Sequence, residues 1–364
     1  MKRIIVFSCI CVVSAWLFIG RWASTQATAN ITNVCGPISS NATWSLSNSP
    51  YDVCLGGVTI GPTATLTIEP GVTVQFENSV SNMLNVMGAL QAIGTVTQPI
   101  TFTGVVASPG SWGGLSADYT VITPALVNLS YVTLEYGGIG SSGAQVYADR
   151  AVVTMTHSLV RNGGSDGLHF TYRVGGFNIQ TTDFISNSLN AIRLDTPATD
   201  ILLSDLSASS NGTNGVYLYA QGMNVNGRRR WTNPGIPYVI NYLPANQPGD
   251  ELTIDPGSEL QFMSNSGLVI GGQLKAIGLP DQPITMTAQT QLPGGWRGIV
   301  IDGGTQNAVA QLDYATVEYG GGDIGGVGVR HRLHGDRRVA ADHDIADRER
   351  FSFPAGHQRK KASP

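Results

Sequence analysis

The sequence is short of charge. Of 364 residues, 21 are Lys or Arg and 25 are Asp or Glu, 13% in all, and the net charge is −4. That balance gives no case for nucleic acid, which favours clustered basic surfaces. Long apolar runs are missing after the N-terminus, so no later segment is apolar enough to cross a membrane. Cysteine is scarce, with four residues. Cys9 and Cys11 lie in the N-terminal apolar run, which leaves Cys35 and Cys54. Neither has a His or a third Cys nearby, so no metal site is expected. Helical periodicity is also absent. What is abundant is glycine, 45 residues, with Thr, Ser and Asn beside Val, Ile and Leu. This composition favours strands and turns around a sizeable core.

The N-terminus reads as an export signal spanning residues 1–29. Lys2 and Arg3 precede an apolar run over residues 4–20, and Ala27-Thr28-Ala29 offers a small-x-small cleavage site. A retained N-terminal anchor is the alternative. Either way the remaining chain is expected outside the cytoplasm, secreted or at the cell surface. Cys35 and Cys54 then form an even pair in an oxidising compartment, and a disulfide between them is expected to fix an end cap.

A long internal duplication organises the rest. LTIEPGVTVQF (66–76) returns as LTIDPGSELQF (252–262), and GALQAIGTVTQPITFT (88–103) as GQLKAIGLPDQPITMT (272–287). PGSWGG (109–114) returns as PGGWRG (293–298), and LSYVTLEYGG (129–138) as LDYATVEYGG (312–321). Trp44 and Pro50-Tyr51 are echoed by Trp231 and Pro237-Tyr238. Residues 30–227 are therefore read as a first block with an N-terminal cap, and 228–329 as a second, truncated block.

A finer period lies between the copies. Gly143, Gly167, Ala191 and Gly215 are 24 residues apart and open the alternating segments GAQVY, GLHFT, AIRLD and GVYLY. Ala144, Leu168, Ile192 and Val216 form one expected inward row; Val146, Phe170, Leu194 and Leu218 form the next. Asn162, Asn187 and Asn211 precede these strands, where a turn would fall. A unit of this length with short strands and no helix is one coil of a parallel β-helix, and no coil can bury its apolar side without neighbours. The fold class is all-β, a solenoid of two related tandem blocks with the second incomplete. In LTIEPG, Leu66 and Ile68 point inward and Pro70-Gly71 turns the chain at a corner.

With these phrases the chain resembles the secreted right-handed parallel β-helix repeat proteins over roughly residues 44–329. The resemblance implies a right-handed solenoid, a bacterial exported protein and, for most such relatives, no assigned activity.

From Arg330 the composition changes. Residues 330–364 carry 14 charges in 35 positions, against 32 in the preceding 329, and four of the six histidines (331, 334, 343 and 357). A solvated tail, a His-rich metal site and a change of reading frame compete; the abrupt break, where the repeat should continue, favours the last. The truncated second block is expected to end on an exposed strand edge, which invites self-association unless the tail covers it.

The outward rows carry the candidate site. Gln145, His169, Arg193 and Tyr217 are 24 residues apart, and beside them run Tyr147, Thr171, Asp195 and Tyr219. Aromatic rings, hydroxyls and charged groups repeated along one face suit a polysaccharide or a cell-surface glycan. The expected function is an exported, non-enzymatic structural or adhesive module that binds glycans. The alternative is a carbohydrate-active enzyme, a polysaccharide lyase or glycoside hydrolase, with its site on the same outer face. No catalytic residue is assigned, because no carboxylate pair facing a cleft is evident. No cofactor is expected. Arg228-Arg229-Arg230 reads as a solvated loop.

Overall fold

The computed structural model describes residues 31–118, 124–140, 143–171, 175–195, 200–219, 225–301 and 308–322, together with the backbone of three short strands further on. The chain winds into a parallel β-solenoid of about ten turns. It is all-β, and its hand is consistent with the right-handed coil that the resemblance implies. The one helical piece among the described residues is a single 3-10 turn, Leu46–Asn48. No described helix is long and apolar enough to cross a membrane.

Each coil contributes a strand to each of three faces. The first face stacks Thr73–Phe76, Ile100–Gly104, Val132–Glu135, Leu159–Arg161, Asp183–Ile185 and Ser207–Ser209. The second stacks Ser79–Val86, Trp112–Asp118, Ala144–Asp149, Asp166–Phe170, Asn190–Leu194 and Thr213–Leu218. The third begins at Ala42–Trp44 and runs through Leu202–Ser204. Coil pairs with coil in parallel, so a residue sits over its counterpart about 4.8 Å away. Leu168, Ile192 and Val216 stack in register and are fully buried, as are Phe170, Leu194 and Leu218.

The 24-residue period fails at one coil. Val146, not Ala144, faces Leu168, and Ala148, not Val146, faces Phe170. The corner between Tyr136 and Ala144 is four residues longer than its counterpart between Asn162 and Asp166, and it delays the strand. Counting in strict periods therefore places residues 143–147 two positions out. Gln145 is the casualty. It is not on the outer face but fully buried, beside a buried asparagine column.

Two columns of left-handed residues turn the corners. Tyr131, His157, Thr181 and Asp205 (φ 45–53°) lie between the third and first faces. Tyr136, Asn162, Ser186 and Ser210 (φ 54–63°) lie between the first and second. Such conformations cost about 1 kcal/mol or more without glycine. Inside the second column, Asn187 and Asn211 form a buried ladder. The Asn187 amide donates to Val160 O (3.1 Å) and Asn211 Oδ1 (2.9 Å) and accepts from Gly163 N (3.1 Å). Gln145 Nε2 reaches into the next rung, donating to Asn187 Oδ1 (2.8 Å) and Arg161 O (2.9 Å). Gly163 leaves room for it: a Cβ there would lie 2.9 Å from the Gln145 side chain.

The duplicated phrases build duplicated geometry. Phe76 stacks on Trp112 (4.0 Å between centroids) and Phe262 on Trp296 (4.1 Å). Each indole donates to a backbone carbonyl, of Glu135 (2.9 Å) and Glu318 (2.7 Å). Leu66 and Ile68 are buried, and Gly71 and Gly257, both left-handed, donate their N–H to Gln98 O and Gln282 O. The phrase is thus one inward strand and one pinned corner, as its residues imply.

At the junction the faces do not continue one-to-one. The third face runs on, with Ile201 bridging Trp231. Tyr238–Ile240, the counterpart of Tyr51–Val53, instead pairs with Val216–Leu218 of the second face. Arg228–Trp231 is not the expected loop but a strand paired with Glu251–Ile254. Its position on the third face continues that ladder.

Cys35 and Cys54 are disulfide-bonded, with Cα atoms 5.6 Å apart, and tie the first coil to the second where their register shifts. At the other end, His331–Leu333, Arg337–Val339 and Asp344–Ile345 pair antiparallel with the last coil. The strand edges expected to be exposed there are paired in this way. Residues 1–30, on which the expected export signal falls, the remaining tail and the side chains of the four tail histidines lie outside the described residues.

Candidate functional site on the second face

Register sets the outer row. Ser116, Tyr147, His169, Arg193 and Tyr217 stack on successive coils. Alongside run Asp118 and Asp149, paired with each other, and then Thr171, Asp195 and Tyr219. Of the expected site residues, six share this surface: His169, Arg193, Tyr217, Tyr147, Asp195 and Tyr219. Gln145, as described, does not.

The side chains hold one another. Asp195 is the hub: its Oδ2 lies 2.8 Å from His169 Nε2, and its Oδ1 accepts from Arg193 Nε at 2.8 Å. Burial alone would raise the Asp195 carboxyl, but the hydrogen bonds and charges of His169 and Arg193 overcome it and hold it below the usual range. Arg193 also lies over the Tyr219 ring, 5.0 Å from its centroid. Tyr219 stacks with Tyr217 at 6.2 Å, and Tyr147 meets His169 edge-on at 5.3 Å. The Tyr217 hydroxyl accepts from Asn241 Nδ2 at 2.6 Å. Thr171 donates to the buried Asp149 at 2.7 Å.

Two further carboxylates border this surface. Asp149 was hidden by the displaced register, and its adjacency to Asp118 emerges only from pairing. Asp166 opens its strand at 1% exposure, and burial pushes its carboxyl up; Asn190 donates both its backbone and side-chain N–H to the same oxygen, at 2.9 and 2.7 Å. Among the described residues, no group of three or more His, Cys, Asp or Glu converges as a metal site would. Comparison with protein families, with curated proteins and with solved structures found no match.

Proposed function

We propose that the chain is an exported, non-enzymatic solenoid module that binds glycans along its second face. The observation that carries this reading is the row Tyr147, His169, Arg193 and Tyr217, one residue per coil, beside Asp195 and Tyr219. Rings spaced by coils offer flat surfaces for sugar C–H faces, and the fixed polar groups between them offer partners for hydroxyls. Because Asp195 and Arg193 already hold each other, little side-chain freedom is lost on binding. The disulfide and the N-terminal export pattern support an extracellular location.

Turnover is the less favoured reading. A glycosidase needs one carboxyl poised as an acid and a second facing it across an open cleft. Asp195 is held ionised by two partners, and Asp166, whose carboxyl is raised, is buried against Asn190. A panel of polysaccharides separates the readings. Binding without new reducing ends or unsaturated products, weakened at least tenfold by Tyr217→Ala or Arg193→Ala, is expected. Product release, or binding indifferent to both substitutions, would contradict the proposal.

A further inference from the structure

A second site lies on another face, where the two blocks meet. An open cleft of about 450 Å³ forms between the end of the third face of the first block and the first corners of the second. That volume is within the range of small-molecule sites. Its walls come from two coils of the first block, through Gln180 and Ser204, and from the repeated LTIDPG corner with its neighbours, through Asn233, Asp255 and Gln282. Leu202, which is 42% exposed, and Pro256 supply apolar surface.

Several polar groups keep hydrogen-bonding capacity, although the Gln180 amide donates to Asn178 Oδ1 at 3.0 Å. Among the described residues, neither the Ser204 hydroxyl nor the Gln282 amide makes a side-chain hydrogen bond. Asn233 uses only its oxygen, accepting from Gly235 N at 3.0 Å. Its Nδ2 sits 2.6 Å from where a Cβ of residue 257 would be, so the left-handed Gly257 of LTIDPG is what admits it. Arg230 donates to one oxygen of Asp255 at 2.8 Å and balances its charge, which leaves the other oxygen as an acceptor. In the first copy the same corner is closed differently: Glu69 accepts from Leu46 N, and the Leu46 side chain packs 3.3 Å from the Cβ position of residue 71.

Planar amides, a hydroxyl and a carboxylate without net charge, over a small apolar floor, are the partners that a neutral sugar ring requires. The amides and the hydroxyl offer donors and acceptors to vicinal hydroxyls, the carboxylate adds an acceptor, and the lining holds no cation to favour a ligand carboxylate. We infer that this junction cleft is a binding site for a neutral hexose unit of a polysaccharide, distinct from the aromatic row on the second face.

The test uses the chain with its disulfide intact and three probes: cellohexaose, maltohexaose and hexagalacturonate, titrated by calorimetry. At least one neutral hexamer is expected to bind. Gln282→Ala and the cleft-filling Ser204→Trp, each with an unchanged melting temperature, should weaken that binding at least tenfold, whereas Thr101→Ala on the first face should leave it within twofold. Absence of binding by both neutral hexamers, preference for hexagalacturonate, or full affinity in both cleft variants would overturn the inference. Loss confined to Tyr217→Ala would assign the binding to the second face instead.

Discussion

Asn187 accepts and donates along the ladder while making no contact with solvent, at 1% exposure. Replacing it with Ala leaves several buried groups unpaired, and each such group costs about 1–3 kcal/mol. Asn187→Ala should therefore lower the unfolding free energy by roughly 3 kcal/mol in urea titration; a loss below about 0.5 kcal/mol would mean the ladder is not formed. Two acids titrate in opposite senses. Asp195 is held below the unfolded value of about 3.9, so its contribution is present above about pH 4 and is lost as pH falls through the folded value. Asp166 is raised, so its ionised form costs stability, and that cost is relieved as pH falls through the raised value. Asp166→Asn keeps the oxygen that accepts from Asn190. The variant should melt at or above the wild-type temperature at pH 7 and show a smaller rise in melting temperature on acidification.

At the scale of strands and corners, the stacked Phe76–Trp112 pair closes one coil, and Trp112 is fully buried. Trp112→Ala should cost about 3–5 kcal/mol, as large-to-small core substitutions do, while Leu126→Ala on the exposed third face should cost far less. In the corner columns, Asp205→Gly should raise stability by up to about 1 kcal/mol by removing left-handed strain at an exposed position; a decrease would contradict that conformation. Elements were unevenly legible in the sequence. Leu168, Ile192 and Val216 announced themselves because their corners have equal lengths. The coil before them was displaced because Ala144 follows Tyr136 by eight positions where Asp166 follows Asn162 by four, and no local signal marks how many residues separate corner from strand. Of the corner columns only Asn162 was legible as a turn residue, because Tyr131, His157 and Tyr136 carry no glycine or asparagine signature, although SYVTLEYGG and its copy repeat both tyrosines. Of the candidate site, the aromatic and charged rows were readable from alternation, whereas Asp149 and the exclusion of Gln145 required the true pairing. Arg228–Trp231 carries three charges and looks like a loop; its place in the ladder is imposed by the strands above and below.

For the whole molecule, the solenoid depends on its ends as much as on its coils. The Cys35–Cys54 bond, with a sequence separation of 19, ties the first coil down and contributes about 3 kcal/mol on the chain-entropy model. Cys35→Ser with Cys54→Ser should increase hydrogen exchange in Thr32–Ile38 and Tyr51–Ile60 first, leaving the coils around Leu168 protected; uniform loss of protection would show instead that the coils melt as one unit. Face architecture follows from the same stacking, because whatever fixes the register of one coil fixes the neighbours of every outward side chain. The most direct measurement is a pairwise cross-link. Tyr147→Cys with His169→Cys, on adjacent coils in one outer row, should join rapidly through a short bifunctional methanethiosulfonate in the native protein, while Gln145→Cys with His169→Cys should not react until the chain unfolds. The reverse pattern would contradict the register, and with it the aromatic row on which the proposed glycan-binding face rests.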